Sequence, residues 1–481
     1  MATIITIDPV SRLEGHLKVE VCIEGGQVTD ARATGTMFRG FENILANRDP
    51  WDAPHITQRI CGVCPIPHAQ AAVLALDQAA AKSIPNNGRI LRNLVLGANF
   101  VQSHLLHFYH LAALDYLAGP GMAPWQPHWN VDLRIDPATT AVLVGHYVEA
   151  LGMTRKAHEM GAIFGGRMPL APAYIPGGFT SAPTAAQITQ FKVYCNELLA
   201  FIRNIYLPDV EALASIYEDY FEIGRGHGNL IAFGAFELNA NGTKKLFRPG
   251  RAAAGSTAIE PVNPTAITEQ VTHSWYADST NNLNPANGVT LPMQPKANGY
   301  SWLKAPRYTN EPYEAGPLAR MWINGDYPHG ISVMDRHRAR ALEALKIADA
   351  LLTWADQIVV GQSAYSTYTT PTSGTGVGLT EAPRGALGHW LQITNRKIAR
   401  YQVITPTCWN ASPMDDRGKR GPIEQALVGT PVQDPNRPVE VLRVIHSFDP
   451  CLSCAVHLMT PKSATVISTY VPGRTAALAT A

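Results

Sequence analysis

Asp449-Pro450-Cys451-Leu452-Ser453-Cys454-Ala455-Val456-His457 lies near the end of the 481-residue chain, and its reading decides how the rest is folded. Alone, a Cys-x-x-Cys pair is ambiguous, because redox dithiols and zinc knuckles share it. A second pair, Cys61 and Cys64 in Arg59-Ile60-Cys61-Gly62-Val63-Cys64-Pro65, stands at the opposite end of the sequence. Each pair brings two sulfurs to one side of a tight turn, with Gly62 or Ser453 between them and Pro65 or Pro450 restraining the adjacent backbone. Four thiolates from two such turns can enclose a soft metal ion. If they do, the two ends of the chain meet. A zinc ribbon separates its pairs by roughly 15–20 residues, whereas here nearly the whole chain intervenes. An iron–sulfur cluster held by four cysteines is the other simple reading.

Length alone gives about three domains, but a site shared by both ends favours one large unit. With 46% hydrophobic and 16% charged residues, the chain has material for a large core and for a buried interface with another subunit. A net charge of +1 lacks the basic excess of a nucleic-acid binder and gives no membrane-surface signal. No run of about 18 apolar residues indicates a transmembrane segment of its own. Met1-Ala2-Thr3-Ile4-Ile5-Thr6-Ile7-Asp8 has neither the basic nor the apolar region of an export signal. Seven cysteines are too sparse for a disulfide framework. Cys22, Cys195 and Cys408 read as small buried hydrophobes.

Alternation over residues 4–7 and 17–23, with Gly25-Gly26 as a turn, predicts an opening β-hairpin or meander. The intervening Arg12-Leu13-Glu14-Gly15-His16 reads on charge alone as a solvated turn. A short helix over 43–46, an Ala-rich helix over 68–82 and a long apolar helix over 89–117 follow. His104, His107 and His110 recur on the last at helical spacing. With no acidic or thiol partner interleaved, they read as core histidines rather than metal ligands. Helices are also predicted over 138–164, ended by Gly165-Gly166, over 185–206, and from a new start at Pro208 through Tyr220. Residues 230–238 read as strand with a hairpin turn after them. Residues 250–307, rich in Pro, Asn and Gly, read as irregular surface or a subunit-contact excursion. A helix over 336–362, a Thr/Ser/Gly-dense loop over 366–378, a hairpin turning at Asn395-Arg396, and short helices over 424–428 and 439–446 complete the chain. The expected class is mainly α with peripheral β, a single unit around a buried long-helix bundle.

The two cysteine motifs, together with Arg12-Leu13-Glu14-Gly15-His16, Phe38-Arg39-Gly40-Phe41-Glu42 and Glu381-Ala382-Pro383-Arg384-Gly385, resemble in order the signature motifs of the large, catalytic subunit of nickel–iron hydrogenases. The resemblance runs from about Ile5 to His457 and is nearest the respiratory, hydrogen-uptake branch with its selenium-containing relatives. Those carry selenocysteine where Cys451 stands. It implies a nickel held by Cys61, Cys64, Cys451 and Cys454, and an iron bridged to it by Cys64 and Cys454 and carrying one carbon monoxide and two cyanides. It implies reversible heterolytic cleavage of H2 to two protons and two electrons, with Cys451 as base and Glu14 as the next proton carrier.

By the same resemblance Arg384, braced by Asp449, overhangs the centre beside Pro383; Thr407 donates to a cyanide; and Leu387 and Pro406 supply apolar wall. His68 reads either as a donor to a bridging sulfur or as an ordinary helix-start histidine. Glu42, His457 and a backbone carbonyl near Val403 match a separate magnesium (or iron) site. Many members place Asp before the His-x-x-His-Phe-Tyr run, where this chain has Ser103, so a second carboxylate for Arg384 is not supplied there.

The resemblance divides the chain into a catalytic unit, 1–457, and a maturation extension, 458–481, removed after His457 by a peptidase once nickel-insertion proteins have acted. It implies an iron–sulfur small subunit as electron acceptor, and a periplasmic or partner-anchored location reached through that subunit's export signal, with a cytoplasmic one as the alternative. Two rival readings are the quinone-binding subunit of respiratory complex I, which lacks the four cysteines, and a non-catalytic zinc- or iron–sulfur-binding subunit of a redox complex.

Overall fold

The computed structural model describes residues 2–126 and 128–455, the last two by their backbone alone. The chain opens with an antiparallel meander of β1 (Thr3–Ile7), β2 (Leu17–Glu24) and β3 (Gln27–Gly35), turning at Gly25-Gly26 as the sequence indicates. Leu17, Val19, Val21 and Ile23 alternate inward along β2 and give the meander its buried face. Short α1 (Phe41–Leu45) and α2 (Ala53–Thr57) lead to the first cysteine pair. α3 (Pro65–Ala79) begins directly after Cys64, with a proline in its first turn.

α4 (Asn86–Leu106) is buried on every side from residue 87 to 105. It does not run on to Leu117 as an α-helix. His107–Ala112 widens into a π-turn and Ala113–Asp115 tightens into a 3-10 turn. The longer turn takes the later side chains off the stripe that a period of 3.6 predicts. α5 (Pro137–Gly165) starts on an Asp136 cap and ends at Gly166 in positive φ. After the two-residue strands β4 (Tyr174–Ile175) and β5 (Gly178–Phe179), α6 (Ala185–Phe201) starts on a Thr184/Gln187 capping box. A π-turn joins it to α7 (Leu207–Ile216), with no break at Pro208. The proline falls in the first turn of α7, where a missing N–H is tolerated.

The middle of the chain forms short antiparallel pairs: β6 (Leu230–Ala232) with β9 (Gly250–Ala252), β7 (Ala235–Glu237) with β8 (Lys245–Phe247), and β10 (Ile267–Gln270) with β11 (Ala305–Tyr308). Residues 250–307 are therefore not surface throughout, and Val271, Ser274 and Leu303 are fully buried. α8 (Pro317–Asn324) and α9 (Val333–Asp356) follow. α4 lies against α5 and α9, and α6 packs on both of these. This is the expected helical centre. No helix among the described residues is long and apolar enough to cross a membrane.

β12 (Ser373–Ala382), β13 (Gly385–Thr394) and β14 (Lys397–Ile404) form an antiparallel sheet. α10 (Pro406–Asn410), α11 (Pro422–Leu427), α12 (Val439–Ser447) and α13 (Leu452–Ala455) close the chain. The start of β12 corrects the loop expected up to Gly378. Its glycines are not turn residues: a Cβ on Gly374, Gly376 or Gly378 would come within 2.7, 1.9 and 1.9 Å of the carbonyl oxygens of Ala79, Ala75 and Ala71. Two strand residues advance about 6.6 Å and four helix residues about 6.0 Å. Alternate glycines thus ride over successive turns of α3, whose own Ala71, Ala75 and Ala79 keep that helix face low. This close seat fixes Cys64, at the start of α3, relative to the tip of the β12–β13 hairpin. Gly378→Ala is expected to lower stability by about 2 kcal/mol, read as a fall in Tm; an unchanged Tm would show that helix and strand can separate without loss.

Candidate metal centre

Three thiols from the two ends of the chain converge. Cys61 Sγ lies 3.1 Å from Cys64 Sγ and 3.4 Å from Cys451 Sγ, and each residue is at most 1% exposed. The backbone N–H groups of Val63 and Cys64 donate to Cys61 Sγ at 3.3 and 3.2 Å, as suits a sulfur bearing negative charge. This is the one group of three or more potential metal ligands among the described residues, and it is all sulfur. A buried, soft donor set of this kind fits nickel, zinc or an iron site far better than a hard cation. Cys454 lies in α13, with its side chain outside the described residues; His457 and the tail are also outside them.

What holds the ends together is mostly backbone. Leu452 N–H donates to Glu14 O at 2.6 Å and Ser453 N–H to the same oxygen at 3.3 Å, so residue 14 pairs in parallel with residue 451. Gly15, at φ +88°, permits this, since a Cβ there would lie 2.3 Å from Ser453 N. Glu14 is half-buried rather than fully solvated, and its Oε1 stands 3.5 Å from where Gly62, in the first cysteine turn, would carry a Cβ. Arg39 Nη2 donates to the carbonyls of both Ile60 and Ser453 and so clasps the two cysteine turns. Arg39 stood inside a recognised motif, but nothing in its spacing pointed to carbonyls 21 and 414 residues away.

Above the thiols, β12 and β13 pair Ala382 with Gly385, leaving Pro383-Arg384 as a two-residue hairpin tip. Arg384 Nε lies 3.0 Å from Asp449 Oδ1, both side chains 2% exposed, and Nη1 has no hydrogen-bond partner among the described residues. Burial opposes the guanidinium charge, but Asp449 and the thiols of Cys451, Cys64 and Cys61 together hold its pKa well above the ordinary value. Burial likewise pushes the Asp449 carboxyl up, with Arg384 and Arg340 pulling it back. Thr407 Oγ1 accepts the Cys451 N–H at 3.0 Å. Pro406 opens α10, Leu387 is fully buried on β13, and Ser103 is buried with its hydroxyl lacking a partner among the described residues.

His68 shares a hydrogen bond from Nδ1 to His389 Nε2 at 3.1 Å, and His389 Nδ1 shares another with the Tyr401 hydroxyl at 2.8 Å. Burial lowers the His68 pKa to about 4, and its Nε2 is buried without a hydrogen-bond partner among the described residues. His104, His107 and His110 do not converge: they bond to Glu343, the His446 carbonyl and the Tyr147 carbonyl respectively.

Glu42 is buried beside Val403, whose N–H donates to its Oε1 at 2.9 Å. Around it stand Thr290, which donates to Glu42 Oε2, and Lys304, whose Nζ lies 3.1 Å from Glu269 and 3.9 Å from Glu42. Lys304 and Glu269 come from the stretch that reads as irregular, which is why sequence periodicity did not single them out.

This arrangement can be set beside known proteins. Residues 39–119, 118–330 and 325–457 match the family described as nickel-dependent hydrogenase, and residues 4–34 match one described as HoxL-like. The chain belongs to the nickel-dependent hydrogenase family. It is 43% identical to the periplasmic [NiFeSe] hydrogenase large subunit of Desulfomicrobium baculatum, covering 95% of each chain. It is 35% identical to the uptake hydrogenase large subunit of Bradyrhizobium diazoefficiens, again over 95% of each. The solved Ni-Fe-Se hydrogenase from D. vulgaris Hildenborough in its reduced state superposes with a TM-score of 0.92 at 44% identity, over 95% of this chain and all of that one.

Arg39 bonds to the carbonyls of both cysteine turns and so ties together the segments that carry the thiols. Arg39→Ala is expected to cost about 3 kcal/mol and to reduce the metal bound per chain, read by calorimetry and elemental analysis. Wild-type Tm and metal content in that variant would show that the turns meet without the clasp.

Proposed function

We propose that the chain is the catalytic subunit of a nickel–iron hydrogenase, cleaving H2 reversibly to two protons and two electrons at a centre held by Cys61, Cys64, Cys451 and Cys454. The observation that carries this reading is the convergence of three buried thiols from opposite ends of the chain beneath a buried guanidinium. When bound, the centre, whose iron carries one carbon monoxide and two cyanides, supplies the Lewis-acid and redox chemistry that H2, a very weak acid, requires. Cys61, Cys64, Cys451 and Cys454 would hold the nickel, and Cys64 and Cys454 would hold the iron as well.

The chain's own residues manage the proton and the shape of the site. Cys451 Sγ takes the proton, and Glu14, whose main chain is bonded to the same turn, receives it next. Thr407, whose oxygen already accepts the Cys451 N–H, would offer its O–H to a cyanide, and Arg384 would turn toward the diatomic ligands its Nη1, which has no hydrogen-bond partner among the described residues. Pro383, Leu387 and Pro406 keep water out. With the Tyr401 O–H donating to His389 and His389 donating to His68 Nδ1, the remaining proton of neutral His68 sits on Nε2, where it would be available to a sulfur holding both metals. Glu42 with His457 and the Val403 carbonyl would hold magnesium or iron; Glu42 is brought beside Val403, whose N–H donates to its Oε1.

No second cysteine cluster among the described residues could relay electrons, which supports an iron–sulfur small subunit as the partner. That partner also supplies the route to the periplasm or to the membrane surface. The family match ends at residue 457, in keeping with a catalytic unit of 1–457 and an extension, 458–481, cut by a maturation peptidase after nickel-insertion proteins have loaded the site. An extension held there until metal arrives keeps the Cys451 turn from closing empty.

Elemental analysis of the purified heterodimer is expected to give one nickel per chain together with iron, and infrared bands from carbon monoxide and cyanide. One zinc and no such bands would leave the non-catalytic reading instead. Cys451→Ser is expected to abolish H2 oxidation, and turnover at the normal rate would remove Cys451 from the role of base. Glu14→Gln should lower kcat by about a hundredfold with the infrared bands unmoved; an unaltered kcat would put the proton path elsewhere.

A further inference from the structure

Arg384 is held twice, and only one hold is on its side chain. Asp449 pairs with the guanidinium. The backbone that carries Arg384 is held from behind by Arg320, in the first turn of α8. Its Nη1 donates to Glu381 Oε2 at 2.7 Å and to the Ala382 carbonyl at 3.0 Å. Its Nη2 donates to Glu343 Oε1 at 2.6 Å and to the Pro383 carbonyl at 2.7 Å. Nε donates to Glu343 Oε2 at 2.8 Å. A guanidinium has five N–H donors in a rigid planar fork, and here all five are committed. The Pro383 carbonyl belongs to the peptide group that contains Arg384 N. With the Ala382 carbonyl also bound, the two peptide planes leading into Arg384 are both fixed.

The fork itself cannot tilt. Glu343 on α9 grips it along one edge and is steadied by His104 Nε2 from α4 at 2.9 Å. Glu381, on the same strand as the hairpin tip, holds the other edge and accepts the Phe233 N–H as well. The Phe100 ring of α4 lies 5.3 Å from the guanidinium carbon. Arg320, Glu343 and Glu381 are all fully buried. On the other side, the tip has no room to slide: a Cβ on Gly385 would meet the backbone of Ala315 and Gly316 at 2.7 Å.

We propose that Arg320 is a positioning residue for the hydrogenase reaction: by binding the carbonyls of Ala382 and Pro383 it sets where the Arg384 guanidinium stands over the metal centre. The proposal rests on the reading of that centre given above. It also gives His104 a role, as the outermost brace of the fork. Lysine keeps the charge but has three donors around a point and no plane, so it cannot hold two carboxylates and two successive carbonyls together.

The test uses the complete heterodimer, with Arg320→Lys, Glu343→Gln, and Arg92→Lys as a matched control. Arg92 makes a comparably buried ion pair, with Asp77, in which no residue of the centre takes part. Arg320→Lys is expected to retain nickel and iron, to move the cyanide infrared bands, and to lower kcat about a hundredfold with KM for H2 unchanged. Glu343→Gln should move the bands in the same sense by less. The control should lose Tm with bands and kcat at wild-type values. If Arg320→Lys does not load metal, Glu343→Gln decides. A loaded deciding variant with wild-type bands and kcat would overturn the proposal, and so would bands that move equally in the control. Absence of the bands from the unsubstituted enzyme would overturn the reading of the centre, and the proposal with it.

Discussion

One backbone oxygen, that of Glu14, receives two N–H groups from the far end of the chain, those of Leu452 and Ser453. That junction is what places Cys451 against Cys61, and it depends on Gly15, the residue that lets two main chains approach to within contact. Once it forms, Arg39 closes over both turns. The side chain of Glu14 is left beside Gly62 in the first cysteine turn by a pairing that involves only its backbone.

Rigidity around the thiols comes from two kinds of packing. On one side, glycines on β12 sit directly on the carbonyls of α3, a seat defined by the absence of side chains. On the other, charged groups are committed in the dry interior. Seven arginines are among the largest fully buried side chains. Six of them pair with a carboxylate, while Arg340 donates to the carbonyls of Arg336 and Ser447. Ion pairs of this kind contribute little net stability, because desolvation offsets the attraction. Their effect here is geometric: each planar fork accepts one arrangement of its neighbours.

The parts legible in the sequence were those whose chemistry is local. Two thiols three residues apart, the Asn395-Arg396 turn and the capped helices announce themselves within a dozen residues, whereas the Glu14 loop and Pro383-Arg384 stood out only through the family resemblance. What stayed hidden depends on distance along the chain. Arg39, Arg320, Lys304 and His389 act on partners brought by other elements, and no spacing rule reaches them. The glycines of β12 were misleading for a physical reason: glycine marks both a turn and a close approach, and the second is visible only when the helix is in place. The π-turns after α4 and α6 were hidden because an added residue does not alter composition, only phase. Cys454 was read from its motif, and its side chain, like His457, lies outside the described residues.

The separation of the two thiol pairs also has a consequence in time. Cys61 and Cys451 are 390 residues apart, so at a synthesis rate of about 10 residues per second the first leaves the ribosome about 40 s before the last. During that interval the cell contains a nascent chain with an exposed dithiol and no second half to its site. A metal caught then would be held by two sulfurs, in a loop not yet packed. A four-thiolate site of the kind proposed is therefore complete only when the chain is, an order that follows from the topology rather than from any one residue.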